Sequence, residues 1–354
     1  MQERYFAASN SAEGFKNYFG DIFARADFIY IIKGGPGTGK SSFMQRQARM
    51  AEARGERVEY YFCSSDPSTL DGILIHGKNR TVGIVDGTSP HVSEPKYPGA
   101  YDEIINLCEF WDRELLIRQK NEIISLADRK SAEYKNAYTF LRSVGNLCAV
   151  NDSLVSEALE LDKLDSAISR LICRIPTLSR GRATFIPAVT DSISMNGRVR
   201  FDTFESRAKY TYFVVDSYGA GRIFLDKIVG RLRDFSVTAR ISYDPICPRH
   251  ADGIFIEESN IAFVLKDAAF DVRFEESDDS EHHAVINAKR FINSEKLREN
   301  RSEIRYTAHL AQSSLDGALH SLSKAKIYHF LLEDIYGKAM NWHKKDEFEK
   351  NFTL

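Results

Sequence analysis

Apolar residues along this chain fall into two kinds of run, and the two kinds alternate. Short β-branched and aromatic stretches, FIYIIKG at 28–34, RVEYYFC at 57–63 and TVGIVD at 81–86, have the length and composition of buried strands. Longer tracts at 100–146, 152–175 and 283–349 hold few prolines or glycines and place apolar residues three and four apart. The first begins Ile104, Ile105, Leu107, Cys108, Trp111, Leu115, Leu116 and continues through Ile123, Ile124 and Leu126. The last runs from Ile286, Phe291, Ile292 and Leu297 to Ile327, Leu331, Leu332, Ile335 and Tyr336. This spacing predicts helical hairpins that pack on their own α/β half or on each other.

Between the first strand and the helix-forming segment SFMQRQARM lies Gly34-Gly35-Pro36-Gly37-Thr38-Gly39-Lys40-Ser41, followed by Ser42. The pattern is GxxxxGK[ST] in the strand-to-helix setting that a phosphate-binding loop requires. Its glycines let several amides turn inward around phosphate oxygens, and the following helix adds the partial positive charge of its N-terminus. Lys40 is placed to reach the β- and γ-phosphates, and the Ser41 hydroxyl to ligate magnesium. Gly34 through Ser42 are therefore the expected binding residues for a nucleoside triphosphate with Mg2+, ATP being the expected ligand.

The strand TVGIVD ends in Asp86, the pattern of a Walker B carboxylate, so Asp86 joins Ser41 as an expected magnesium residue and Lys40 as an expected catalytic one. An aspartate opening an ordinary Asp-Gly-Thr turn is the plainer alternative. Gly87 follows where many P-loop ATPases carry the glutamate that polarises water. Loops after strands line the crevice of an open α/β sheet, which brings Asp66, Asp71, His91, Glu94 and Asp102 into consideration. Each also reads as a capping or solvated loop residue.

The same plan recurs in the second half. YTYFVVDSYGAGRIF (210–224) overlies YIIKGGPGTGKSSF, with Gly219 on Gly37, Gly221 on Gly39, Arg222 on Lys40 and Ile223 on Ser41. YDPICPRHADGIFI (243–256) echoes SDPSTLDGILI, and NIAFVL (260–265) overlies TVGIVD with Leu265 at the place of Asp86. Asp216 replaces the first loop glycine, Ile223 removes the hydroxyl and Leu265 the carboxylate, so the second copy reads as chemically silent. Arg222 keeps a positive charge without the geometry of lysine, and an arginine finger toward the first site is the bolder reading of it.

With 354 residues, two domains are expected. The break at 176–181 divides them into 1–178, a phosphate-binding module with its helical extension, and 179–354, a degenerate copy with its own. The fold class expected is α/β: two tandem P-loop NTPase-like modules, each followed by a long helical hairpin. A net charge of −2 gives no indication of nucleic acid, and no apolar run is long enough for a membrane span. The first residues resemble no secretory signal, and five scattered cysteines form neither a disulfide framework nor a zinc pattern. A cytoplasmic protein is expected. The acidic run 275–281 reads as a solvated loop, and the adjacent His282 and His283 lack a third metal ligand in the pattern.

KGGPGTGKSSFM, SSDPSTLDGILI, VDGTSPH with YPGAYDEIINL, and KIYHFLLEDIYGKAMNW together resemble an uncharacterised bacterial family of tandem P-loop ATPases along nearly the whole chain. The resemblance implies two α/β P-loop modules in one polypeptide and ATP as ligand, and supplies no substrate. The loop DSYGAGRI departs from the family pattern. Three functions fit these residues: Mg-dependent ATP hydrolysis at the first loop with an inactive second repeat, phosphoryl transfer by a small-molecule or nucleotide kinase, or a non-catalytic ATP-binding regulatory or scaffold protein.

Overall fold

The computed structural model describes residues 2–176, 178–267, 282–352 and 354; the acidic run 275–281 lies outside them. The layering begins in single strands. In β5 (Arg57–Phe62) Val58 and Tyr60 enter one core while Tyr61 enters another, the period of two expected of a strand covered on both faces.

The first half contributes β1 (Glu3–Phe6), β4 (Phe28–Lys33), β5, β6 (Leu70–His76), β7 (Thr81–Asp86) and β8 (Asp102–Asn106), ordered β1-β5-β6-β7-β4-β8. Only β6 runs antiparallel to its neighbours. The second half builds β9 (Thr184–Pro187), β12 (Tyr210–Asp216), β13 (Thr238–Tyr243), β14 (Ala251–Ile256), β15 (Ile261–Asp267) and β16 (His283–Asn287) into the order β9-β13-β14-β15-β12-β16. The order is the same, strand for strand. Small antiparallel hairpins, β2 (Ala8–Ser11) with β3 (Gly14–Asn17) and β10 (Asp191–Ser194) with β11 (Gly197–Arg200), repeat as well. So do the one-turn helices α1 (Phe19–Phe23) and α6 (Thr203–Arg207).

One face of each sheet meets the other across a shared aromatic core, in which Tyr5, Phe6, Phe23 and Tyr61 of the first half pack with Phe201, Phe204 and Phe255 of the second. On the outer faces lie α2 (Lys40–Ala53) in the first half and α7 (Ala220–Leu232) in the second. Two short helices, α3 (Arg113–Arg118) and α8 (Ser294–Glu299), lead into the long helices α4 (Lys120–Ala158) and α9 (Arg301–Lys338).

The long tracts begin differently from the expected hairpins, and of the two expected packings they take the one on each other. Their first residues are edge strands, because Ile104 and Ile105 pair with Ile31 and Ile32 of β4, and Val285 and Ile286 with Phe213 and Val214 of β12. Apolar residues at short spacing do not separate a buried edge strand from a helix turn. Then α4 and α9 pack antiparallel on each other, through Leu126 with Leu332 and Ile335 at one end and Ala137, Leu141 and Val144 with Leu315, Ala318 and Leu322 further along. The short helices that follow cross over. From the first half, α5 (Leu161–Ile172) buries Leu164 and Ile168 on α7, and α10 (Trp342–Asn351) lays Phe348 against the core around α2. Matching bridges, Trp111 to Met340 and Leu159 to Ile292, stitch the halves together. No helix among the described residues is long and apolar enough to cross a membrane.

Candidate functional site

The loop Gly34–Gly39 leaves the C-terminal end of β4, in the middle of the sheet, and Lys40 opens α2. Gly37 and Gly39 take φ of 68° and 82°, values that a side chain would strain. Gly39 caps α2 without offering a side-chain acceptor to its first amides. Thr38 donates its hydroxyl to the Gly35 carbonyl at 2.9 Å, and Ser42 to the Gly39 carbonyl at 2.9 Å. Lys40 turns back over the loop, donating to the carbonyls of Gly34 (2.9 Å) and Gly35 (2.7 Å), with its Nζ 3.5 Å from Asp86 Oδ2. The Ser41 Oγ accepts the Leu70 amide at 2.9 Å, and Pro36 completes the loop.

Asp86 ends β7 beside this lysine. Its Oδ1 accepts the amide and hydroxyl of Thr88 (2.9 and 2.5 Å), the Asx turn that the plainer reading required. Its Oδ2 is thereby directed to Lys40. Gly87 has no room for a side chain: a Cβ there would stand 2.4 Å from Ile31 Cγ2. A water-polarising glutamate after Asp86 is therefore excluded by packing.

Because β6 runs against β7, its N-terminal end lies beside the C-terminal end of β7, and Asp71 meets Asp86 there. His91 closes the set after the turn 87–90, its Nε2 3.4 Å from Asp71 Oδ2 and its ring stacked 5.0 Å from Phe19. Asp71, Asp86 and His91 are all buried, and one ligand atom of each lies within 4.8 Å of the others. Asp71 Oδ2 and His91 Nδ1 have no hydrogen-bond partner. Burial, opposed by His91 and reinforced by Asp86, pushes the Asp71 carboxyl up to about 6. Burial likewise pushes the Cys63 thiol well up, with Asp71 adding to it.

Other loop candidates serve the loops themselves. Asp66 accepts the amide and hydroxyl of Ser68, and Asp102 the amides of Lys96 and Tyr97. Glu94 is exposed and pairs with Lys33 at 2.6 Å.

Residues that local patterns did not reveal come from the long helices. The Glu333 carbonyl of α9 lies 2.4 Å from where a Cβ on Gly37 would stand, Trp111 and Tyr336 flank Gly35, and Lys345 of α10 abuts Gly39. Glu333 sits 3.4 Å from His329, which together with Lys40 and the Gly37 amide outweighs burial and holds its carboxyl below the ordinary value. Lys130 of α4 is held below the usual lysine value by burial and by Lys40, with Glu333 opposing. No local pattern ties these residues to the loop; their only signal is that the two halves repeat, which sets Asp152 of α4 against Gly219 as Glu333 is set against Gly37.

The second loop is filled by its own side chain. Asp216 accepts the amides of Tyr218 (3.0 Å), Gly219 (2.9 Å) and Gly221 (2.9 Å), and α7 starts two residues ahead of Arg222. Val214 pairs with Leu265 in the register in which Ile32 pairs with Asp86. Arg222 approaches Asp244 at 3.5 Å, within its own half. His282 and His283 lie at the start of β16, and His283 stacks edge-on with Phe213.

Comparison with protein-family models, with curated proteins and with solved structures finds no match to this chain.

Proposed function

We propose that the chain is a P-loop NTPase that binds ATP with a divalent ion at Gly34–Ser42 and hydrolyses it there, the second loop being inactive. The observation that carries the reading is the convergence of Lys40 and Asp86 at 3.5 Å beside a loop with two left-handed glycines and an uncapped helix N-terminus. Loop amides and Lys40 bind and orient the phosphates, and catalysis is mainly positioning and charge neutralisation. Ser41 and Asp86 would hold the ion, with the partnerless Asp71 Oδ2 close to Asp86. Bound there, the ion neutralises phosphate charge. Slow turnover is expected, since Gly87 admits no side chain.

A nucleotide-controlled switch is the second reading, supported by the seat of Glu333 over Gly37: occupancy of the loop would bear on α9 and so on the other half. Phosphate release from ATP by the purified chain, run beside Lys40→Ala and paired with a binding titration, separates the two. Release that vanishes with Lys40 supports the hydrolase, and Lys40-dependent binding without release supports the switch. Binding that survives Lys40→Ala sinks the site assignment.

A further inference from the structure

Three buried side chains beside the loop make a donor set that magnesium does not need. We propose that Asp71, Asp86 and His91 hold a divalent first-row transition ion, of the Mn2+ type, through two carboxylates and an imidazole. Asp86 belongs also to the nucleotide site, so the functional meaning of this ion rests on that reading; its binding does not.

Two observations lead to a cation. The first is the juxtaposition: three ligand atoms within 4.8 Å, all buried, drawn from the start of β6, the end of β7 and the loop after it. Ligands about 2.0–2.2 Å from one ion stand roughly 3–4 Å apart, so small side-chain rotations close the set. The second is the pair of atoms left unused there, Asp71 Oδ2 and His91 Nδ1, in residues 5% and 6% exposed. A buried carboxylate oxygen without a hydrogen bond is costly, and a metal ion that also takes one imidazole nitrogen is one group that satisfies it. At 3.4 Å the contact between Asp71 Oδ2 and His91 Nε2 is longer than a charge-assisted hydrogen bond, and no such bond forms.

The chemistry of the donors selects the metal. Magnesium prefers oxygen ligands and keeps its waters; imidazole suits zinc, iron and nickel and carboxylates suit manganese, so two carboxylates with one imidazole favour a first-row transition ion over magnesium. Lys40, 3.5 Å from Asp86, offsets part of the negative charge but cannot reach the whole set, since it also bonds Gly34 and Gly35. At the matching places of the second half Asp252 persists while Leu265 removes a ligand, so one site per chain is expected.

The test uses the full chain, stripped with chelator and titrated with MnCl2 in the absence of nucleotide, read by electron paramagnetic resonance. One Mn2+ per chain is expected, with electron spin-echo modulation from a directly bound imidazole nitrogen, undiminished by a tenfold excess of MgCl2. His91→Ala should weaken binding at least tenfold and abolish the nitrogen signal; Glu94→Gln, in the exposed loop and paired with Lys33, should retain both. Absence of saturable binding overturns the proposal. Saturable binding without nitrogen coupling, or ready displacement by magnesium, also overturns it, because the ion would then be held by oxygen ligands alone. Should His91→Ala fail to fold, the wild-type spectrum still decides. Manganese binding in a chain that takes no ATP would separate this site from the nucleotide reading.

Discussion

Gly37 combines a left-handed backbone with another helix's backbone standing where its Cβ would be. Its φ of 68° is unfavourable for any side chain, and the Glu333 carbonyl occupies the space of its Cβ. Gly55 has a similar φ of 78° with nothing within 4 Å. The pair separates backbone strain from steric exclusion. Gly55→Ala should cost about 1–2 kcal/mol, the price of a left-handed alanine. Gly37→Ala should cost more, because α9 must also move away from the loop. Urea unfolding of both variants measures the difference, and equal losses would show that α9 yields freely. At this scale the place of Lys40 and Ser41 at the opening of α2 and of Asp86 at the end of β7 was legible from spacing, because each sits at the end of a locally patterned element. Asp71 and His91 were visible only as polar residues in neighbouring loops. Their meeting depends on β6 running antiparallel, which no local pattern reports.

Among the elements, β4, β5, β7 and α2 follow from their apolar runs, whereas β8 and β16 do not. Ile104 and Ile105 fit a helical period as well as an extended one, and pairing with β4 decides between them. The crossing of α5 and α10 to the opposite half was equally hidden: an amphipathic stripe says that a helix is covered, never by which neighbour. This crossing puts α9 over the first loop. The carboxylate of Glu333 there is held by His329 and the Gly37 amide, in space where the proposed nucleotide site would receive a phosphate. Glu333→Gln keeps the shape and removes the charge, so ATP should bind several-fold more tightly to that variant. Titration of both proteins with MgATP at the same ionic strength checks this. Unchanged or weaker affinity would mean that Glu333 does not oppose the ligand.

For the whole molecule, the two halves meet where equivalent positions carry opposite charges. Glu59 is the third residue of β5 and Arg240 the third of β13, and their side chains bond twice, at 2.9 and 3.1 Å. Arg25, Arg57 and His76 also face the Glu59 carboxylate, at 2.8–3.0 Å, as does the Tyr61 hydroxyl, while Glu257 pairs with the outer side of Arg240. A symmetric interface of identical residues would bring like charges together here; Glu59 opposite Arg240 makes the meeting attractive instead. Burial alone would raise the Glu59 carboxyl, yet His76, Arg240 and Arg25 together hold it well below its ordinary value of 4.5. The folded value therefore lies under the unfolded one. This stability is present above the ordinary carboxylate range and is lost as the pH falls through the folded value. Removing Arg240 leaves Glu59 paired with Arg25, Arg57 and His76 but takes away two buried charge-assisted hydrogen bonds across the halves, so Arg240→Met should cost about 1.5–3 kcal/mol at pH 7. Since both sheets share the core around Tyr5, Tyr61 and Phe255, the loss should appear as a shift of one cooperative unfolding transition. Urea midpoints measured from pH 7 downward should fall more steeply for the wild type than for Glu59→Gln. Parallel acid limbs, or two resolved transitions in Arg240→Met, would show that this charge pair neither titrates with folding nor binds the halves into one unit.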